Sequence, residues 1–170
     1  MKKYFPILLL AFISLFIFSC DDNDNVVGDG DTYPKMRDVS GSFTNANGYS
    51  FTVPISIENT DVVLVYRRDP AASNAWQLIP KTYFLSGGRE LDYNALFDSQ
   101  NVEIYTEANF DQTTMTSSEV SQYLTNQTFR VVLVPASPAK GTSAVDTSDY
   151  NAVVKYYNLD ESKIKTIKVN

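Results

Sequence analysis

The chain contains no histidine and a single cysteine, Cys20. Ser–His–Asp and Cys–His catalysis both need an imidazole to take the nucleophile's proton, so neither is open to this sequence, and histidine-based zinc sites fall with them. One thiol forms no intramolecular disulfide and no cysteine metal cluster. A glycine-rich phosphate loop is missing too: Ser86-Gly87-Gly88-Arg89 reads as a hairpin turn. What remains is carboxylate chemistry. Glu90 and Asp92, two apart in a strand-length segment, would share one face about 7 Å apart, inside the ~5–9.5 Å that separates the two working carboxyls of glycosidases. Acids two apart on a solvated strand face are commonplace, and the expectation is a protein that is not an enzyme, with no cofactor and no metal. Binding is the stronger option. Trp76, Tyr105, Tyr156 and Tyr157 are the candidate ligand contacts, because flat aromatic faces serve sugar and peptide sites. Against this, tyrosine favours strands and often sits half-buried with its hydroxyl wet, so each ring is equally at home as packing.

The lone cysteine has a more specific reading. Lys2 and Lys3 precede an uncharged, mostly apolar stretch from Tyr4 to Phe18. That is short of the ~20 residues a membrane-spanning helix needs and suits the hydrophobic region of a secretory signal. It ends in Ile17-Phe18-Ser19-Cys20, which resembles the lipobox of lipoprotein signals, with Phe18 bulkier than the small residue usual there. The resemblance implies cleavage before Cys20 and a lipid attached to its sulfur. One acyl chain holds a protein to a bilayer only marginally, and a bacterial lipoprotein of this kind would carry two or three. The expected layout is a leader over residues 1–19, a lipidated acidic tether over 20–34 and a folded domain over 35–170.

Charge agrees with that division. The whole chain carries 14 basic and 20 acidic residues, a formal net charge of -6. Two of the basic residues lie in the leader, while Asp21, Asp22, Asp24, Asp29 and Asp31 crowd the start of the tether. Like charges, Gly and Asn with little to bury make an extended spacer. The run does not make an EF-hand: with Asp22 first, Val27 stands where the loop needs Gly and Tyr33 where it needs Glu. No basic stripe exists to neutralise phosphates, which excludes nucleic acid as a partner.

From Tyr33 onward the pattern is of short strands. Tyr49, Phe51, Val53, Ile55 and Ile57 alternate with polar residues, the mark of a strand with one buried face, and Pro54 points to an edge. Val39, Gly41 and Phe43 alternate likewise, and the Asn45-Ala46-Asn47-Gly48 turn between the two segments predicts a hairpin. The apolar runs Asp61–Arg67 and Phe129–Pro135 have the composition of central strands covered on both faces. Arg67-Arg68-Asp69 reads as a strand end in solvent, and Trp76 as a plug near Pro80. Ser117–Leu124 predicts one or two helical turns capped by Ser117 or Ser118. Asp149–Tyr157, with Tyr150, Val153 and Tyr157 at helical spacing, predicts a short amphipathic helix, and Ile164, Ile167 and Val169 a closing strand. Together these predict an all-β fold, mainly a β-sandwich, Ig-like in general architecture, with one or two short helices.

The runs Asp61–Arg67, Trp76–Pro80, Phe129–Ala136 and Tyr150–Val154, with Ile164–Val169, resemble a group of small lipoproteins of the Bacteroidota, some with a collagen-like stalk that this chain lacks. In that group an aspartate-rich run after the cysteine looks like an address for the outer face of the outer membrane. The resemblance therefore implies an outer-membrane, lipid-anchored protein of the cell envelope; the lipid address, the spacer and the lack of reactive side chains point to a non-enzymatic domain for protein contact or envelope structure, its partners the membrane itself and a surface or envelope protein. It carries fold and address but no chemistry. A glycan- or peptide-binding accessory module is the alternative, and a carboxylate glycosidase the remote one.

Overall fold

The computed structural model describes residues 36–134 and 144–169; the leader, the tether with Cys20, and Pro135–Ala136 lie outside the described residues. The described strands are β1 (Met36–Gly41), β2 (Ser50–Pro54), β3 (Val62–Asp69), β4 (Ala75–Leu78), β5 (Lys81–Phe84), β6 (Glu90–Phe97), β7 (Asn101–Ala108), β8 (Gln127–Val134) and β9 (Thr166–Lys168). They form a two-sheet β-sandwich, with strand order β4-β3-β8-β1-β9 in one sheet and β2-β7-β6-β5 in the other. Every pairing is antiparallel except that of β1 with β9.

The two apolar runs are neighbours, with Val65 of β3 opposite Val131 of β8. Alternate residues of each serve different layers. Val63, Val65, Phe129, Val131 and Leu133 face the second sheet and pack with Val53, Leu91, Tyr93, Val102 and Ile104. Tyr66, Val132 and Val134 face outward and are covered by the helix α2 (Tyr150–Tyr156), which brings Tyr150 and Val153 against them. A strand pair with both faces covered has no polar face, which is why the sequence runs apolar there. Asp149 caps α2, its carboxylate accepting the Ala152 N–H at 3.1 Å.

Three expectations need correction. The segments around the turn at residues 45–48 do not form a hairpin: β1 pairs with β8 and β9, and β2 with β7, so the chain arches from one sheet to the other. Phe43, inside that arch, packs its ring 5.0 Å from Phe51 and 5.9 Å from Phe129, and burial of this aromatic in the core carries the chain across. The cap of the first helix, α1 (Ser117–Glu119), is Thr116 rather than Ser117 or Ser118. Its side chain accepts the Glu119 N–H while Glu119 accepts the Thr116 N–H at 2.8 Å, a reciprocal capping box. A wider π turn, Val120–Leu124, follows directly and buries Leu124.

The third concerns Arg67 and Asp69, which are not at a solvated strand end. Arg67 is 1% exposed and Asp69 5%. Arg67 points inward from β3, its guanidinium 4.8 and 4.6 Å from the centroids of the Tyr83 and Tyr93 rings. It donates to Gln127 Oε1 at 2.7 and 3.2 Å, to Tyr83 Oη at 2.8 Å and to the Gln122 carbonyl at 3.2 Å. The Asp69 carboxylate lies 3.6 Å away and accepts a hydrogen bond from the Tyr83 hydroxyl at 2.9 Å. Only Arg68, pointing the other way, reaches solvent. A buried charge with each hydrogen bond met is tolerable where an unpaired one is not.

Candidate functional site around Trp76

The β3–β4 hairpin sets Trp76. Asp69 caps a tight turn at Pro70–Ala72, accepting the Ala71 N–H at 2.9 Å, and Ser73 and Asn74 take left-handed backbone angles (φ 56° and 62°) to reverse the chain. The reversal places Trp76 opposite Arg68 on the outward face of β4, a sheet edge. Its half-buried ring lies 4.3 Å from the Arg130 guanidinium, 6.0 Å from that of Arg68 and 5.9 Å from the Tyr150 ring.

Arg130 projects from the middle of β8 into this outer layer and is held on several sides. Asp38 accepts from it in a two-pronged contact at 2.7 and 2.9 Å, Glu161 accepts at 2.7 Å, and the Tyr150 hydroxyl is also in contact. Tyr150 in turn donates to Glu161 at 2.7 Å. Burial alone would weaken the arginine's hold on its proton, but the bonds to Asp38 and Tyr150 more than offset it, and its pKa is raised. Burial and the Glu161 bond push the Tyr150 hydroxyl up to about 12. At neutral pH the cluster is thus an arginine cation with a neutral phenol, fixed in place.

Beside the cluster is an open hollow of about 430 Å3, lined by Trp76 and Tyr150 with Ser148, Asp149, Asn151 and Glu161. A second, of about 440 Å3, is lined by Arg68, Asn74, Gln122, Asn126 and Thr128. Arg68 and Trp76, cross-strand neighbours, each border one of them. An aromatic edge flanked by amides, hydroxyls and carboxylates can accept and donate hydrogen bonds to a polar, uncharged or cationic ligand.

Of the four aromatic candidates, the structure groups only some. Trp76 and Tyr157 both pack on the small cluster beneath α2. Tyr156 and Tyr157 place their rings edge to face at 4.8 Å at the end of that helix. Tyr105 stands apart, half-buried on the outward face of β7 in the other sheet, opposite Ser50 and Asn94. Glu90 is exposed and Asp92, which takes a hydrogen bond from Thr82, faces Glu107 across the strands. Among the described residues no group of three or more acidic or cysteine side chains could hold a metal ion. The sequence marks Tyr150 only as part of the helix's apolar face, and Arg130 only as part of an apolar run; neither stands out there as a site residue. An arginine inside a β-branched run was the available signal, since burial there demands carboxylate partners. No family model, curated protein or solved structure matches this chain.

Proposed function

We propose that this chain is a lipid-anchored bacterial envelope protein that acts by binding rather than by catalysis, its sandwich held at the outer membrane by acyl chains on Cys20. The observation that carries the reading is the sequence Ile17-Phe18-Ser19-Cys20 closing an uncharged stretch that follows Lys2-Lys3. The acidic tether and the resemblance to Bacteroidota lipoproteins support the address. The binding part is supported by the state of the charged side chains drawn into the fold: Arg67 and Arg130 are committed to internal partners, as scaffold groups are. Growth with an alkyne fatty acid tests the anchor. The wild-type chain is expected to take the label, and Cys20→Ala to take none. An unmodified Cys20 thiol in the mature peptide, read by mass spectrometry, would overturn it.

A second reading, a glycan- or peptide-binding accessory module, has one observation in its favour: Trp76 and Tyr150 border the same hollow. Arrayed glycans and peptides would test it. A ligand retained by the wild type and lost by Trp76→Ala supports the module; equal retention by both removes the hollow from the binding.

A further inference from the structure

Three of the four large apolar side chains that the described residues leave exposed gather at one end of the sandwich. They are Val62 (44% exposed), Leu96 (59%) and Phe97 (47%). The strand registers place all three at one end, Val62 on the outer face of its sheet, Leu96 on the outer face of the other and Phe97 at the rim between them. Val62 opens β3 opposite Val134, and Val134 is two residues beyond Val132, the partner of Met36. Phe97 closes β6 opposite Val102, whose other neighbour is Val53. Arg37, next to Met36, ties this end of the two sheets together by donating to the Pro54 carbonyl at 2.7 Å. It is also the end at which the chain enters the domain: Met36 is the first residue of β1, and Asp21–Lys35 is all that separates it from Cys20. Fully extended, those residues span at most about 54 Å.

A chain anchored ahead of β1 presents this end of the domain to the bilayer first, and exposed apolar side chains collected at such an end mark a surface suited to membrane contact. We infer that Val62, Leu96 and Phe97 form a membrane seat, resting in the headgroup and upper acyl region of the bilayer that holds the Cys20 lipid. The inference rests on the lipoprotein reading above. Charge at this end is mixed. Arg37, Lys163 and Lys165 surround a small hollow with Met36 and Ile167. Carboxylates stand there as well: Asp61 accepts the Glu58 N–H at 3.2 Å, and Asp98 the Gln100 and Asn101 N–H groups at 2.7 Å. Glu103 borders Leu96 and Phe97 as well, so these charges make no net attraction for anionic lipid, and the apolar side chains are the driving term whatever the anionic lipid content.

The test uses the full lipidated chain in vesicles of phosphatidylethanolamine and phosphatidylglycerol carrying brominated acyl chains. In a Trp76→Phe background the sole tryptophan is moved to Phe97→Trp or, as a control at the opposite end, to Phe84→Trp, where the native side chain is 78% exposed. Phe97→Trp is expected to lose most of its emission to the bromines and Phe84→Trp to keep it, with the same contrast when phosphatidylglycerol is omitted. Equal emission from the two, with the protein still floating with the vesicles, overturns the seat and leaves the anchor standing. Shielding of Phe97→Trp from both bromines and aqueous acrylamide would place a protein, such as a second copy, over the patch and equally overturn it. Failure of the wild-type chain to float would sink the anchor, and the seat with it.

Discussion

Arg67 shows how much of this fold depends on one side chain placed against type. Its guanidinium spans both sheets, taking Gln127 and the Gln122 carbonyl on one side and Tyr83 and Asp69 on the other, with Tyr93 stacked beneath. Removing one partner of a buried charge pair costs about 3–5 kcal/mol, because the remaining groups stay buried without their bonds. Arg67→Met is therefore expected to lose stability in that range in urea unfolding. A loss below about 1 kcal/mol would mean that water reaches the network and that burial here is incomplete. Gly41 makes a second prediction, from space rather than charge. A Cβ there would meet Phe51 Cε1 at 2.7 Å and Cδ1 at 2.9 Å, and Val169 Cγ2 at 3.0 Å. Because Phe51 is locked between Phe43 and Phe129, it has nowhere to retreat. Gly41→Ala should cost about 1–3 kcal/mol, the usual range for overpacking a filled core, and Gly41→Ser no less.

At the level of elements, α1 is held by charge at its first turn. Glu119 closes the capping box on Thr116 and also binds Arg89 in the β5–β6 turn, so one carboxylate joins the helix to the second sheet. The Arg89 contact first, then the Thr116 N–H, holds its carboxyl below the ordinary 4.5. A depressed folded value makes the contribution complete above the unfolded value and lost as the pH falls through the folded one. The Thr116 and Glu119 amide resonances should accordingly titrate together with a midpoint below 4.5. A midpoint at or above that figure, or no change in Arg89→Ala, would disconnect the helix from the turn. Elements like α1 and α2 were largely legible in the sequence because their signals are local: capping residues, helical spacing, and for β3 and β8 an unbroken apolar run. The β1–β2 arch was not, since Asn45–Gly48 offers the same turn chemistry whether the flanking strands pair or part, and partner choice is made by distant residues such as Phe129. The Trp76 cluster was legible only in part. Trp76 was visible as a type, but Arg130, Asp38 and Glu161 come from three separate stretches, and nothing in local spacing announces that they meet.

Over the whole molecule, four tyrosines tie ionisation to unfolding. Tyr83 and Tyr93 belong to the inter-sheet core, and Tyr66 and Tyr150 to the layer under α2. Burial is the leading cause that raises all four, to about 12 for Tyr83 and Tyr150 and further for Tyr66 and Tyr93. The unfolded chain ionises them near the ordinary value of 10.0. Above that pH the unfolded state has given up protons that the folded state still keeps, so stability is whole below 10.0 and declines as the pH climbs toward the folded values. Each such tyrosine adds up to about 1.4 kcal/mol per pH unit to the slope. Alkaline unfolding should thus be steep, and tyrosinate absorbance should show two populations: exposed rings ionising with native structure intact, buried ones only with its loss. The two layers should go together, because β3 and β8 carry both and cannot release Tyr66 from one face while Arg67 and Phe129 stay packed on the other. Tyr150→Phe, which keeps the ring and removes the titrating hydroxyl, should flatten the slope by about one proton's worth. Native near-ultraviolet dichroism persisting alongside full tyrosinate absorbance would show that the phenols are wetter than their burial implies, and that the layer under α2 opens without the core.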